Sequence, residues 1–183
     1  MKFIKSPNMY IIKTIRNINL FLAIIIAPML IFSQNNVNIN GDLPDIKLKT
    51  LENHTISLSE LNNNDKPMIL IFWKSCCTPN IKMLEEINEV YSDWKLEIGV
   101  KIYAISIDDS RSSSRIAPLV NSKGWEYEVL LDVNSDCKRA MNVIATPHIF
   151  IFDGKKKLVW QQTTYNEGEA KEVYNILKNL PKQ

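Results

Sequence analysis

The chain has 183 residues, 22 of them Lys or Arg and 20 of them Asp or Glu, for a formal net charge of +2. Four of the basic residues, Lys2, Lys5, Lys13 and Arg16, stand in an acid-free N-terminal stretch; beyond residue 33, 18 basic residues face 20 acidic ones, a net charge of −2. A balance this even leaves nothing that suggests binding to nucleic acid or to a membrane surface, so no nucleic-acid partner is expected.

Residues 1 to 33 have the layout of a signal peptide. The basic segment is followed by Leu20 to Phe32, an apolar run of 13 residues with Pro28 inside it, short of the ~20 residues of a spanning helix. Cleavage is placed after Ser33. Ile31 is a poor match to the small residue expected two positions earlier, which leaves open an uncleaved segment anchoring the protein in the inner membrane. A periplasmic or otherwise exported protein is expected. Residues 34 to 41 are Asn-rich and polar and read as a linker, and residues 42 to 183 suffice for one domain with a real core.

Within that domain, Leu43 to Leu48 alternates like an edge strand, and Thr55 to Leu58 pairs with it across the turn Glu52-Asn53-His54, giving an N-terminal hairpin. Ser59 to Leu61 is a helical turn before an Asn-rich loop. The apolar run Met68 to Phe72 reads as a buried strand. After it, Met83, Leu84, Ile87, Val90, Tyr91 and Trp94 recur at helical spacing from about Pro79 to Trp94. Val100 to Ile107 is the next strand and Arg115 to Lys123 the next helix; the polar stretch Asp108 to Ser114 between them reads as a solvated loop or, at a strand's carboxyl end, as a partner contact. Glu128 to Leu131 is a short strand and Ser135 to Met141 a short helix. Ala145-Thr146-Pro147 leads into the strand His148 to Phe152, which turns at Asp153-Gly154 and returns as Leu158 to Gln162, and a final helix runs from about Glu169 to Leu180. The expected class is α/β, a central mixed sheet flanked by helices.

The chemistry gathers at Phe72-Trp73-Lys74-Ser75-Cys76-Cys77-Thr78-Pro79-Asn80. A strand that runs through Cys-x-Pro directly into a helix puts a thiol at the helix N-terminus, where unpaired N–H groups and the macrodipole favour a thiolate. Pro79 suits the first turn, where its missing N–H is not needed. The three cysteines, Cys76, Cys77 and Cys137, are an odd set with spacings unsuited to structural disulfides, and with His54 and His148 they match no zinc pattern. No metal and no cofactor are expected.

This turn resembles the active-site turn of the exported thioredoxin-like disulfide reductases of the TlpA and ResA type, in which the sequence reads Phe-Trp-x-x-Trp-Cys-x-Pro-Cys. The resemblance covers nearly all of the chain after residue 41 and implies a thioredoxin fold with the added hairpin. It makes Cys77 the nucleophile, Pro79 the intervening proline, and Thr146-Pro147 the cis-proline segment that lines the substrate groove. The implied partners are protein thiols or disulfides, with a membrane-bound thiol as electron donor. The chain departs from the pattern at three positions. Cys76 replaces a tryptophan, Asn80 replaces the resolving cysteine, and Met83 stands where many members have a buried glutamate.

Asn80 could donate a side-chain N–H to the Cys77 thiolate without forming a disulfide. Cys137 reads either as a core cysteine or as a substitute resolving thiol. A bond between Cys76 and Cys77 would be strained, because adjacent Cα atoms are ~3.8 Å apart and disulfides usually span ~4.4 to 6.8 Å. His148 begins a buried strand and reads as a hydrogen-bonded core residue, or else as a base or ligand near Cys77. The reading that follows is a thiol-disulfide oxidoreductase acting through Cys77 alone. Its rival is a redox-inactive binding module on the same fold, and Cu(I) binding is a weaker third.

Overall fold

The computed structural model describes residues 43–181. The signal-peptide and linker readings lie outside these residues. No helix among them is long and apolar enough to cross a membrane.

Seven strands form one sheet: β1 (Lys47–Thr50), β2 (Thr55–Ser57), β3 (Met68–Trp73), β4 (Lys101–Ser106), β5 (Glu128–Leu131), β6 (His148–Phe152) and β7 (Leu158–Thr163). Their order across the sheet is β2-β1-β5-β4-β3-β6-β7. Strands β3, β4 and β5 run parallel, whereas β6, β7 and the hairpin strand β1 are antiparallel to their neighbours. Four helices accompany them among the described residues: α1 (Thr78–Glu97), α2 (Ile116–Lys123), α3 (Asp136–Ala140) and α4 (Ala170–Lys178). The unit β3-α1-β4 followed by β6-β7-α4 is the thioredoxin arrangement, and the expected N-terminal hairpin is present, extending the sheet beyond β5.

Strand β3 is central because it is apolar on both faces. Ile69, Ile71 and Trp73 join one core with Met83, Leu84 and Ile87 of α1, Val120 of α2 and Val173 of α4. Met68, Leu70 and Phe72 point the other way, into a second core with Leu48, Leu58, Met141 and Phe150. A continuous apolar run is what a strand covered on both faces requires. Its C-terminal end carries the turn.

The expected elements shift by a few residues, each for a local reason. Pro44 cannot donate to a ladder, and the Ile46 N–H bonds back to its carbonyl at 2.9 Å. The first strand therefore starts at Lys47 and not at Leu43. Leu58 leaves β2 for a 3₁₀ turn, Leu58–Glu60. Helix α1 outruns its last apolar residue, Trp94, as far as Glu97 and stops before Gly99, whose φ of +74° breaks the helical path. Arg115 belongs to a 3₁₀ turn, Ser113–Arg115, that leads into α2.

Candidate active site

Cys77 is the N-cap residue of α1, in extended conformation, and its carbonyl accepts the N–H groups of Asn80 at 3.0 Å and Ile81 at 3.3 Å. Its side chain is half-buried, and that of Cys76 is exposed. The two sulfurs are 3.7 Å apart. Thr146-Pro147 is a cis peptide, and the Pro147 carbonyl accepts the Thr164 N–H at 3.0 Å, which ties the segment to the end of β7.

Asn80 does not serve the role expected for it. It is completely buried, and its Nδ2 donates to the Lys74 carbonyl and to Thr146 Oγ1, each at 3.2 Å. The amide therefore faces the backbone of the turn and the cis-proline segment instead of the Cys77 thiol. It is a clamp between the two loops. Its Oδ1 is buried without a protein partner.

A second clamp went unrecognised in the sequence. Asp108, placed there in a solvated or partner-contact loop, is 1 % exposed. Its carboxylate accepts the Ser75 N–H at 2.9 Å, the Ser75 hydroxyl at 2.7 Å and the Ser106 hydroxyl at 2.8 Å. The available signal was its position: an acid two residues beyond the buried end of β4, close to a serine at the buried end of that strand. Only the rest of the stretch, from Asp109 onward, behaves as an exposed, self-capped turn. There Asp109 accepts the N–H groups of Arg111 and Ser112, both at 3.1 Å.

The electrostatics run against a strongly activated thiol. Burial pushes the Cys77 thiol above its ordinary value, the neighbouring Cys76 adds to the shift, and the Asp108 charge contributes in the same direction; Lys74 opposes them. A thiolate at a helix N-terminus is ordinarily favoured. Here burial is the largest influence on the thiol, and it acts in the opposite direction.

Trp73 anchors the turn from below. It is fully buried, and its ring meets that of Trp125 edge to face at 5.4 Å between centroids. Met83 is likewise fully buried, in the same core.

Cys137 and His148 belong elsewhere. Cys137 is fully buried in the second core, on the face of the sheet opposite α1. Burial, with the Asp132 charge beside it, pushes its thiol far up. Of the two readings of Cys137, its burial fits the core one: the sheet separates it from the helix that Cys77 caps. His148 stacks on Phe150 at 4.2 Å, and its Nε2 and Nδ1 lie 3.3 Å from Gln161 Oε1 and 3.4 Å from Thr163 Oγ1. Burial lowers its pKa. It is a partnered core residue.

A cleft of about 810 Å³ begins at Thr78 and Pro79 and runs along α1 past Met83 and Glu86 to Tyr165. The exposed Cys76 and half-buried Cys77 lie outside this cleft. No three His, Cys, Asp or Glu side chains among the described residues gather as a metal site.

The profile of the AhpC/TSA family matches residues 39–161. The chain belongs to the AhpC/TSA family. Among curated relatives, the thiol-disulfide oxidoreductase ResA of Bacillus anthracis is 28% identical over 128 residues, covering 70% of this chain and 71% of that protein. The ResA protein of Bacillus subtilis strain 168 is 25% identical over 146 residues, covering 79% of each. Among solved structures, a thioredoxin-like protein from Porphyromonas gingivalis is 44% identical with a TM-score of 0.69, over 75% of this chain and 90% of that one. A putative thiol:disulfide interchange protein DsbE from Chlorobium tepidum has a TM-score of 0.65 at 19% identity, over 75% of this chain and 93% of that one, a likeness of fold. This member of the family thus has a thioredoxin fold and thiol-disulfide oxidoreductases among its relatives.

Proposed function

We propose that this protein is an exported thiol-disulfide oxidoreductase in which Cys77 attacks a protein disulfide, while Pro147 presents the substrate backbone. The observation that carries the reading is the placement of Cys77 at the start of α1. It is half-exposed, with Asn80 joining its turn to the Thr146-Pro147 segment through two hydrogen bonds. Export rests on the acid-free basic segment and short apolar run of residues 1 to 33. A membrane-bound thiol fits the role of electron donor, since an exported protein is out of reach of the cytosolic thiol pool.

Burial disfavours the Cys77 thiolate, which is the nucleophile, so the attack is expected to be slower than that of an activated thiol. That same observation supports a second reading, a binding module that keeps the groove and has given up turnover. Reduction of a protein disulfide such as insulin by the wild type and by Cys77→Ser separates the two. The oxidoreductase loses its activity with Cys77, and equal rates in the two proteins would leave only the binding module. Alkylation of Cys77 across pH gives the complementary measurement, with a midpoint expected above that of a free cysteine.

A further inference from the structure

We infer that Cys76 is the second thiol of the reaction, resolving the Cys77 mixed disulfide by forming a transient bond between the two adjacent cysteines. The inference rests on Cys77 being the attacking thiol and adds the residue that completes the exchange. Cys137 is fully buried on the far face of the sheet, and Asn80 carries no thiol, so Cys76 is the one cysteine placed to respond.

The local structure holds this pair at both ends. Before it, the Ser75 N–H and hydroxyl are fixed on the buried Asp108 carboxylate at 2.9 and 2.7 Å. After it, the Cys77 N–H reaches the Lys74 carbonyl at 3.3 Å, and Asn80 Nδ2 bonds to the same carbonyl at 3.2 Å. The backbone freedom that would let the two sulfurs part is thereby restricted. They stand 3.7 Å apart, close to the ~3 to 3.5 Å separation from which intramolecular attack is most effective. Cys76 is exposed, so water or the departing thiolate can take its proton.

The step balances as follows. The Cys77 thiolate attacks one sulfur of the partner's disulfide, that bond breaks, and the other partner sulfur leaves as a thiolate and takes up a proton. The Cys76 thiolate then attacks Cys77 Sγ. The mixed disulfide breaks, the remaining partner sulfur leaves and is protonated, and a Cys76–Cys77 disulfide remains. Two electrons pass from the cysteine pair to the partner. Because adjacent Cα atoms are ~3.8 Å apart, below the usual ~4.4 Å minimum, the new bond is strained and readily reduced. It acts as an intermediate, and an external dithiol returns it to the thiol form.

The test uses the purified chain with one equivalent of the aromatic disulfide 5,5′-dithiobis(2-nitrobenzoate), followed by mass spectrometry of the tryptic peptide Ser75–Lys82, which contains both cysteines. In the wild type and in Cys137→Ser, two thionitrobenzoate anions should be released per reagent consumed. The peptide should lack an adduct and be lighter by two hydrogens. In Cys76→Ser one anion should be released, and the Cys77 adduct should last at least roughly tenfold longer. An adduct on Cys77 that persists equally in the wild type and Cys76→Ser would overturn the role of Cys76 while leaving Cys77 as a single-thiol reagent. Failure of Cys77 to react in either native protein would instead overturn the proposed function itself, and this inference with it.

Discussion

The three cysteines occupy two regions that burial treats very differently. At the head of α1, Cys76 is exposed and Cys77 half-buried, and the loop that carries them is fixed by polar groups: Asp108 below Ser75, and Asn80 between Lys74 and Thr146. On the other side of the sheet, Cys137 is sealed among Leu48, Leu58, Phe72 and Met141. Burial raises both Cys77 and Cys137, yet only Cys77 can be reached by another protein. The difference between the two thiols here is access. The turn obtains access by giving up apolar packing, and it replaces that packing with hydrogen bonds to two fully or nearly buried polar side chains.

If the turn is a polar surface held on an apolar foundation, the largest loss should come from the foundation. Trp73 is completely buried beneath the turn and stacks edge to face on Trp125. Trp73→Ala should cost ~3 to 5 kcal/mol, read from urea or guanidinium midpoints at unchanged slope. A loss near that of a surface substitution would show that the turn does not depend on the core below it.

The next largest effect should come from the buried acid. Asp108→Asn keeps the shape but turns charge-assisted bonds to Ser75 and Ser106 into neutral ones, at least one of them poorly matched. It should cost ~1.5 to 3 kcal/mol. It also removes a negative charge that holds the Cys77 thiol up. Alkylation of Cys77 should then begin at lower pH than in the wild type. A later onset would mean that Asp108 acts on Cys77 through loop geometry more than through charge.

Cys137→Ser probes the other region. It places a hydroxyl in an apolar core and should cost ~1 to 3 kcal/mol, while leaving the pH dependence of Cys77 alkylation unchanged. A shift in that profile would reveal a coupling between the two faces of the sheet.

The pattern of what was legible follows the same division. The strand Met68 to Phe72, the helical face from Met83 to Trp94 and the strand His148 to Phe152 could be read because apolar runs and apolar periodicity report burial directly. The place of Cys77 at the start of α1 was legible because Pro79 suits the first turn of a helix that follows a strand. The polar supports were not. The resemblance makes Asn80 a neighbour of the thiol because it stands where the family has its second cysteine, but its partners include Thr146, 66 positions distant. The polar neighbours of Asp108 suggest a solvated or partner-contact loop, although its main partner, Ser75, lies 33 positions earlier. A long-range hydrogen bond leaves no period in the sequence. Cys137 posed the same problem in reverse: being near Thr146-Pro147 in sequence did not decide which face of the sheet it would occupy.

The smallest effect, and the sharpest comparison of the two regions, is expected in alkaline solution. Both Cys77 and Cys137 have raised values in the folded protein, so the native state holds these protons more tightly than the unfolded chain. Below the unfolded value, near pH 8.5, both states are protonated and neither cysteine makes stability depend on pH. As pH rises beyond that point the unfolded chain loses protons first, and stability falls until the folded values are passed. Cys137 should dominate this slope, at most ~1.4 kcal/mol per pH unit, because it is fully buried. Cys77 is partly solvated, and its share is screened. The interval from pH ~8.5 to ~9.5 isolates the thiols from the tyrosines, which titrate near 10 and above; Tyr127 and Tyr165 are themselves raised by burial. Denaturant titrations of the wild type, Cys137→Ala and Cys77→Ser across that interval should show the slope flattened by the first substitution and little changed by the second. An equal flattening by both would show that solvent screens Cys77 no more than Cys137, and the contrast drawn between the exposed turn and the sealed core would fail for the thiol that matters most.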